Sequence, residues 1–148
     1  MNMMKFHSIA AGLLMFFMLL ATSANADELV VVVNATSGIG QLTQEQVINI
    51  FLGRYRYYPS GLQAAPVDLP DGNPAKAQFY RKLINKEMPD VNAYWSRLLF
   101  SGRVAPPVRA NSTREVSKLL TASKGAISYM YRSEVDQRFV VVYALEDI

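Results

Sequence analysis

The run Leu29–Val33 constrains the fold more than any other stretch of this sequence. It is apolar without interruption, and four of its five residues are valine. A strand with one solvated face alternates apolar and polar residues, whereas an unbroken run is typical of a strand covered on both faces. We therefore expect a sheet with helices packed on both sides. The fold class predicted for the chain is α/β, a mixed sheet flanked by helices.

The remaining elements follow from periodicity and capping signals. Thr43 and Gln46 form a capping-box pattern at the start of a helix, and Gly53 fits its end. A second helix is predicted from Pro74 to about Asn85, a third from Pro89 to Gly102, and a fourth after Ser112. The segments predicted to be extended are 54–58, 64–69, 126–131 and 138–143, and 103–110 is predicted to be loop. In the third helix, Val91, Tyr94, Trp95, Leu98 and Leu99 form the predicted buried stripe.

The first residues have the pattern of a targeting segment. Lys5 precedes an apolar run, Ile9–Ala21, and Ala24-Asn25-Ala26 matches a small-x-small cleavage site. The run has about 13 residues, short of the roughly 20 needed to span a bilayer. We expect residues 1–26 to be a cleaved signal peptide and residues 27–148 to form one periplasmic domain, with an uncleaved anchor as the alternative. Because the chain has no cysteine, a lipoprotein is not expected.

The residue inventory excludes most catalytic designs. There is no cysteine, and the single histidine, His7, lies in the predicted signal peptide. The exported chain therefore lacks the residues for a Ser-His-Asp triad or a Cys/His zinc site. We expect a protein that is not an enzyme and that has no catalytic residues, no metal and no cofactor. The arginines are spread along the chain, which does not favour nucleic-acid binding.

The stretch Asp68–Tyr80 looks most like a site. A short strand ends at Asp68, Pro70-Asp71-Gly72 is a turn, Asn73 fits an N-cap, and Pro74 and Ala75 open a helix. Free N–H groups at such a helix end carry partial positive charge and can hold an anion. The alternative is an ordinary capped helix. Asp68 and Asp71 are interpreted first as turn and capping residues, then as polar ligand contacts, and last as catalysts.

Several blocks together resemble one family of binding proteins. They are Asn49–Gly53, Pro59–Gly61, Pro66–Gly72 followed by Phe79, and Gly125–Tyr129. In order and spacing they resemble the phosphate ABC transporter substrate-binding proteins, and more narrowly their short single-domain periplasmic members. The resemblance implies a single lobe of a type II periplasmic-binding-protein-like fold.

The resemblance also implies where a phosphate would lie in this lobe. In the family an arginine and a Ser-Gly-Thr sequence at a helix N-terminus hold the phosphate. By spacing, the Ser-Gly-Thr positions fall on Asn73, Pro74 and Ala75, and the arginine falls near Asp68 or Leu69. The charged group and both hydroxyls are replaced, and Pro74 has no N–H to donate. The resemblance therefore implies the fold, and phosphate binding itself is not expected to follow from it.

Two functions remain open at this stage. The first is a periplasmic substrate-binding-protein-like module that binds a small anion, with candidate ligand residues Asp68, Asp71, Gly72, Asn73 and Ala75 and contributions from Arg54 or Arg56. The second is a ligand-free interaction or regulatory module for a periplasmic sensor or transporter. The basic and aromatic patch Arg54–Tyr58 and the loop with Pro106-Pro107 motivate it. That patch is also compatible with an edge strand. A homodimer facing itself across a cleft would be a third arrangement, for which the sequence holds no direct sign.

Overall fold

The structure is a computed structural model that describes residues 27–102 and 104–146. The predicted signal peptide lies outside the described residues. The helices are α1 (Gln44–Phe51), α2 (Pro74–Ile84), α3 (Met88–Ser101) and α4 (Thr113–Ala122). The strands are β1 (Leu29–Asn34), β2 (Ala65–Asp68), β3 (Val108–Arg109), β4 (Ala126–Tyr131) and β5 (Phe139–Ala144).

The five strands form one mixed sheet in the order β3-β2-β4-β1-β5. β1 is antiparallel to both β4 and β5, whereas β2 runs parallel to both β4 and β3. The predicted α/β class with a mixed sheet flanked by helices is therefore confirmed. All five residues of the run Leu29–Val33 are fully buried, as expected for a strand covered on both faces.

Three of the helices begin after the capping residues that the sequence predicts. Thr43 and Gln46 form the reciprocal capping box of α1, and Asn73 caps α2 with its side chain. Asn85 ends α2 in the left-handed conformation, at φ 52°. Ser112 caps α4 by accepting from the Glu115 N–H. An aromatic cluster lies where α1 and α2 meet the sheet: the Phe79 ring stacks on Tyr129 at 3.8 Å between centroids, and Phe51 packs edge-on to Phe79.

Two predicted segments differ from the structure. Residues 54–58 do not form a strand, and their pairing is the isolated bridge between Tyr57 and Gln63. The chain turns there because the Arg54 and Tyr55 N–H groups both donate to the Asn49 carbonyl, while Tyr58 is buried and donates its hydroxyl to the Gly125 carbonyl. Tyr55 and Tyr57, in contrast, are exposed.

The second difference lies around the end of α3. The segment predicted as loop over 103–110 contains β3, which pairs with β2 at the edge of the sheet. Leu99 was predicted to belong to the buried stripe, yet it is 54% exposed, whereas Val91 and Trp95 are buried. The last turn of α3 extends past the hydrophobic core, so Leu99 lines a cleft and Phe100 is almost fully exposed.

Candidate functional site

The carboxyl end of β2 places a charged residue inside the core. Asp68 is 5% exposed, and its side chain accepts hydrogen bonds from the Tyr80 hydroxyl at 2.6 Å, the Tyr129 hydroxyl and the Leu69 N–H. The Lys76 ammonium lies 3.6 Å from the same carboxylate. Every partner is a donor, which is the environment that a buried carboxylate needs. The hydrogen-bonding capacity of the Asp68 carboxylate is therefore satisfied by groups of the protein.

The two tyrosines that face Asp68 have strongly perturbed acidities. Burial raises the pKa of the Tyr80 phenol well above its ordinary value of 10.0, and the nearby Asp68 charge raises it further. Burial and Asp68 raise the pKa of Tyr129 in the same direction. Both phenols are consequently neutral at any physiological pH. They act as hydrogen-bond donors to the carboxylate, and neither is poised to serve as a base.

Asp71, in the turn after β2, forms ion pairs with two positively charged side chains. Its Oδ1 lies 2.8 Å from the Lys76 Nζ, and its Oδ2 lies 3.1 Å from an Arg109 guanidinium nitrogen. The hydrogen bond from Lys76 is the main reason that the pKa of Asp71 is lowered, and the Arg109 charge adds to it. Together Asp68, Asp71, Lys76 and Arg109 contribute two negative and two positive charges. We call these four residues the tip cluster, and its net charge is zero.

The N-terminus of α2 has no free backbone donor, contrary to the sequence-based expectation of free N–H groups pointing into the turn. The Ala75 N–H donates to the Asn73 side chain at 2.9 Å, and the Lys76 N–H donates to the Asn73 carbonyl at 3.1 Å. The Asn73 N–H donates to the Pro70 carbonyl, and Pro74 has no N–H. The alternative interpretation, an ordinary capped helix, is the one that this geometry matches.

A cleft of about 450 Å³ opens beside the tip cluster. Asp68, Lys76 and Arg109 line its polar end. The other described lining residues come from α3 and the following loop: Val91, Asn92, Trp95, Ser96, Leu99, Pro106 and Pro107. The cleft therefore combines a self-neutralised polar end with a mostly apolar wall. In the described residues, no group of three or more His, Asp or Glu side chains could hold a metal ion.

The structure brings together some of the predicted site residues and separates others. Asp68, Asp71, Gly72, Asn73 and Ala75 lie at one place, where Gly72 adopts φ +83° in the turn. Arg54 and Arg56 line two other clefts, neither of which includes Asp68. Whether any of these seven residues contacts a ligand stays a prediction.

Sequence reasoning missed the groups that partner the two aspartates. Lys76 was not singled out, although it lies at the third helical position, five residues after Asp71. Arg109 was placed in a loop, so nothing in the pattern brought it toward β2. The parallel register of β3 with β2 pairs it with Asp68. The sequence signal for Tyr129 is its position in the block Gly125–Tyr129, one of those that resemble the phosphate-binding family.

Known structures share this arrangement of strands and helices. No protein-family model and no curated protein matches the chain. Among solved structures, an ABC-type phosphate transport receptor from Vibrio cholerae matches with a TM-score of 0.63 at 20% identity, over 78% of this chain and 45% of that chain. The chain has the fold of a single lobe of a periplasmic binding protein. The predicted resemblance is thus confirmed for the fold.

Two further receptor structures give the same result. A putative phosphate ABC transporter substrate-binding protein with bound phosphate, from Clostridium perfringens, matches with a TM-score of 0.62 at 16% identity, over 78% of this chain and 44% of that chain. PstS from Borrelia burgdorferi matches with a TM-score of 0.54 at 13% identity, over 70% and 40%. The chain spans less than half the length of these receptors.

Among the described residues, no helix is both long and apolar enough to cross a membrane.

Proposed function

We propose that this chain is an exported, non-enzymatic binding module of the substrate-binding-protein type, in which phosphate is not the ligand of the α2 tip. Any small anion that binds there has to displace Asp71 from Lys76 and Arg109. The likeness to one lobe of phosphate receptors supports the first part of the proposal. The apolar run and cleavage pattern before residue 27 support export to the periplasm.

The position of Asp71 is the observation that carries the second part. Charge-assisted hydrogen bonds are the strong interactions through which proteins hold oxyanions. Lys76 already makes one with Asp71, and the Arg109 guanidinium forms an ion pair with the same carboxylate. Because the pKa of Asp71 is lowered, its carboxylate stays ionised from pH 5 to 8 and keeps competing with an incoming anion. The capped helix end offers no backbone donor as a substitute.

Calorimetric titration with inorganic phosphate at pH 7 tests this function. We expect no saturable binding by the wild-type protein up to about 1 mM phosphate, which corresponds to a binding free energy of about −4 kcal/mol. Asp71→Asn frees Arg109 and leaves Lys76 with Asp68 as its partner at 3.6 Å, while it preserves side-chain size. Since hydrogen bonds to charged groups contribute about 1.5–3 kcal/mol each, the affinity of this variant for phosphate should rise at least tenfold.

The matched control is Asp136→Asn, which makes the same charge change at an exposed pair with Arg138. It should leave phosphate binding as weak as in the wild type. Tight binding by the wild-type protein would show that Asp71 does not block the tip. Equal gains from Asp71→Asn and Asp136→Asn would show that only net charge matters.

A second candidate function is a protein-interaction module for a periplasmic sensor or transporter. One observation favours it: Tyr55, Arg56, Pro106 and Val108 line the same cleft, so the basic and aromatic segment lies beside the proline loop. Tyr55 and Val108 are about half exposed, at 45% and 56%. Tyrosine and arginine are enriched among the residues that dominate protein interfaces.

Capture from a periplasmic extract, with the partner identified by mass spectrometry and then purified, tests this candidate. Tyr55→Ala should weaken binding of the purified partner at least about fivefold, because tyrosines that dominate an interface contribute more than about 1 kcal/mol. Tyr143→Ala, a change of the same type on β5, should have no such effect. A purified partner that binds both variants equally would contradict the assignment of this surface.

A further inference from the structure

We propose that a separate hollow between α1 and α3 binds a small amphipathic anion, meaning one carboxylate or sulfonate on an apolar chain or ring. The hollow has a volume of about 380 Å³. Its described lining includes no residue of the tip cluster and shares Val91 with the cleft beside that cluster. Its size is at the lower end of the range for small-molecule sites. This site goes beyond the proposed function and does not depend on the chemistry of Asp71.

The floor of the hollow is apolar and firmly held. Ile48 of α1 and Leu52, which follows it, form one side, and Val91 and Tyr94 of α3 form the other. The Tyr94 hydroxyl donates to the Leu52 carbonyl at 2.7 Å. That bond ties the end of α1 to α3 and uses the polar atom of the tyrosine, so its ring is left as an apolar surface. An apolar chain or ring of a ligand would be buried here.

The rim of the hollow is cationic. Arg54 comes from the segment after α1, Lys86 from the link between α2 and α3, and Arg97 from α3 itself. Asp90 is the acid among the described lining residues, so the lining carries a net charge of +2. The contrast with the tip cluster is direct, because there two carboxylates cancel two cations.

These rim cations are available to a ligand. In the part of the chain that the structure describes, Lys86 and Arg97 make no ion pair, even though Asp90 is close in sequence. The hydrogen bond recorded for the Arg54 guanidinium goes to the neutral Asn49 side chain at 3.4 Å, which leaves its charge uncompensated. Charge complementarity therefore favours an anion over a neutral ligand, and the floor favours one with an apolar part.

Calorimetric titration with three probes tests the two requirements separately. Octanoate has both a charge and an apolar chain, octanol has the chain alone, and inorganic phosphate has the charge alone. We expect saturable binding of octanoate, at least tenfold weaker binding of octanol, and no phosphate binding that competes with octanoate. Octanoate affinity should also fall as salt is raised, because the rim cations are exposed to solvent.

Two variants and a control locate the site. Arg97→Gln and Lys86→Gln should each weaken octanoate binding about three- to fivefold, because each removes one charge from the rim. Arg114→Gln, an equal charge change on α4, should alter it by no more than about twofold. In amide NMR spectra, octanoate should shift signals of α1 and α3 and leave those of α4 unchanged.

Several outcomes would overturn the proposal. Octanol that binds as well as octanoate would show that the cations play no part. An octanoate affinity that is unchanged in Arg97→Gln, or lowered equally in Arg114→Gln, would place the ligand elsewhere or reduce the effect to net charge. A failure of octanoate to saturate the wild-type protein would remove the site. None of these results bears on phosphate binding by Asp71→Asn, so the two proposals fail separately.

Discussion

Replacement of Asp68 by asparagine is the most informative perturbation of this fold. The carboxylate is surrounded by donors: two tyrosine hydroxyls, the Leu69 N–H and the Lys76 ammonium. Asn has nearly the same shape, so the change removes the charge and one acceptor atom without opening a cavity. In their place it introduces an NH₂ group that faces donors. The consequence should therefore be electrostatic and not a loss of packing.

The magnitude follows from the burial of the pair. The side chains of Asp68 and Lys76 are 7% and 8% exposed, and removal of one member of a buried ion pair costs about 3–5 kcal/mol. Lys76 keeps its bond to Asp71 at 2.8 Å, which places the cost at the lower end, about 3 kcal/mol. For a domain of this size that loss lowers the melting temperature by about 10 °C.

Thermal and urea unfolding followed by circular dichroism would measure this loss. Asp136→Asn is the matched control, because it makes the same chemical change at an exposed pair, and it should shift the melting temperature by about 2 °C or less. Should Asp68→Asn fail to fold, Tyr129→Phe removes a single donor and should cost about 1–3 kcal/mol. An Asp68→Asn variant as stable as the wild type would refute the view that this network stabilises the fold.

Two further predictions concern alkaline stability and a close backbone approach. The pKa values of Tyr80 and Tyr129 in the folded state lie above the unfolded value near 10.0, so the unfolded chain releases these protons first as the pH rises. Each tyrosine should therefore lower the free energy of unfolding by about 1.4 kcal/mol per pH unit above pH 10. Urea unfolding between pH 8 and 11 measures this slope, which should be shallower in Tyr129→Phe. A Cβ atom on Gly125 would lie 2.0 Å from the Gln63 carbonyl oxygen, so Gly125→Ala should cost about 2 kcal/mol or more. Gly40→Ala, which meets no atom within 4 Å, should cost less than about 0.5 kcal/mol in the same urea assay.

The sequence predicts most of the fold because its local signals agree with its tertiary contacts. The valine run, the capping box at Thr43 and the N-cap at Asn73 each specify a local structure, and none is overridden by packing. The prediction of an extended segment over residues 54–58 is wrong because it relied on their tyrosines, which are common in strands. In the structure the Arg54 and Tyr55 N–H groups bond to the Asn49 carbonyl instead, and the distant hydrogen bond from Tyr58 to the Gly125 carbonyl holds the end of the segment.

The position of the candidate site could be predicted from the sequence, but whether its cations are free to bind an anion could not. The strand, turn and capped helix around Asp71 identify the place. Whether that place is open to an anion depends on Lys76 and Arg109, and Arg109 reaches it through the pairing of β3 with β2. A two-residue edge strand has no periodicity that sequence reasoning can use. The charge balance of the tip cluster is therefore visible in the structure alone.

The two charged regions of this lobe differ in how far their charges are compensated. At the tip of α2, the Asp71 carboxylate pairs with both Lys76 and Arg109, and the backbone donors are capped. Between α1 and α3, three cations face an apolar hollow with Asp90 as the described acid. Binding energy for an anion comes from charges that the protein has not already compensated. On that ground we expect an anion to bind in the hollow and the tip cluster to contribute mainly to the stability of the fold.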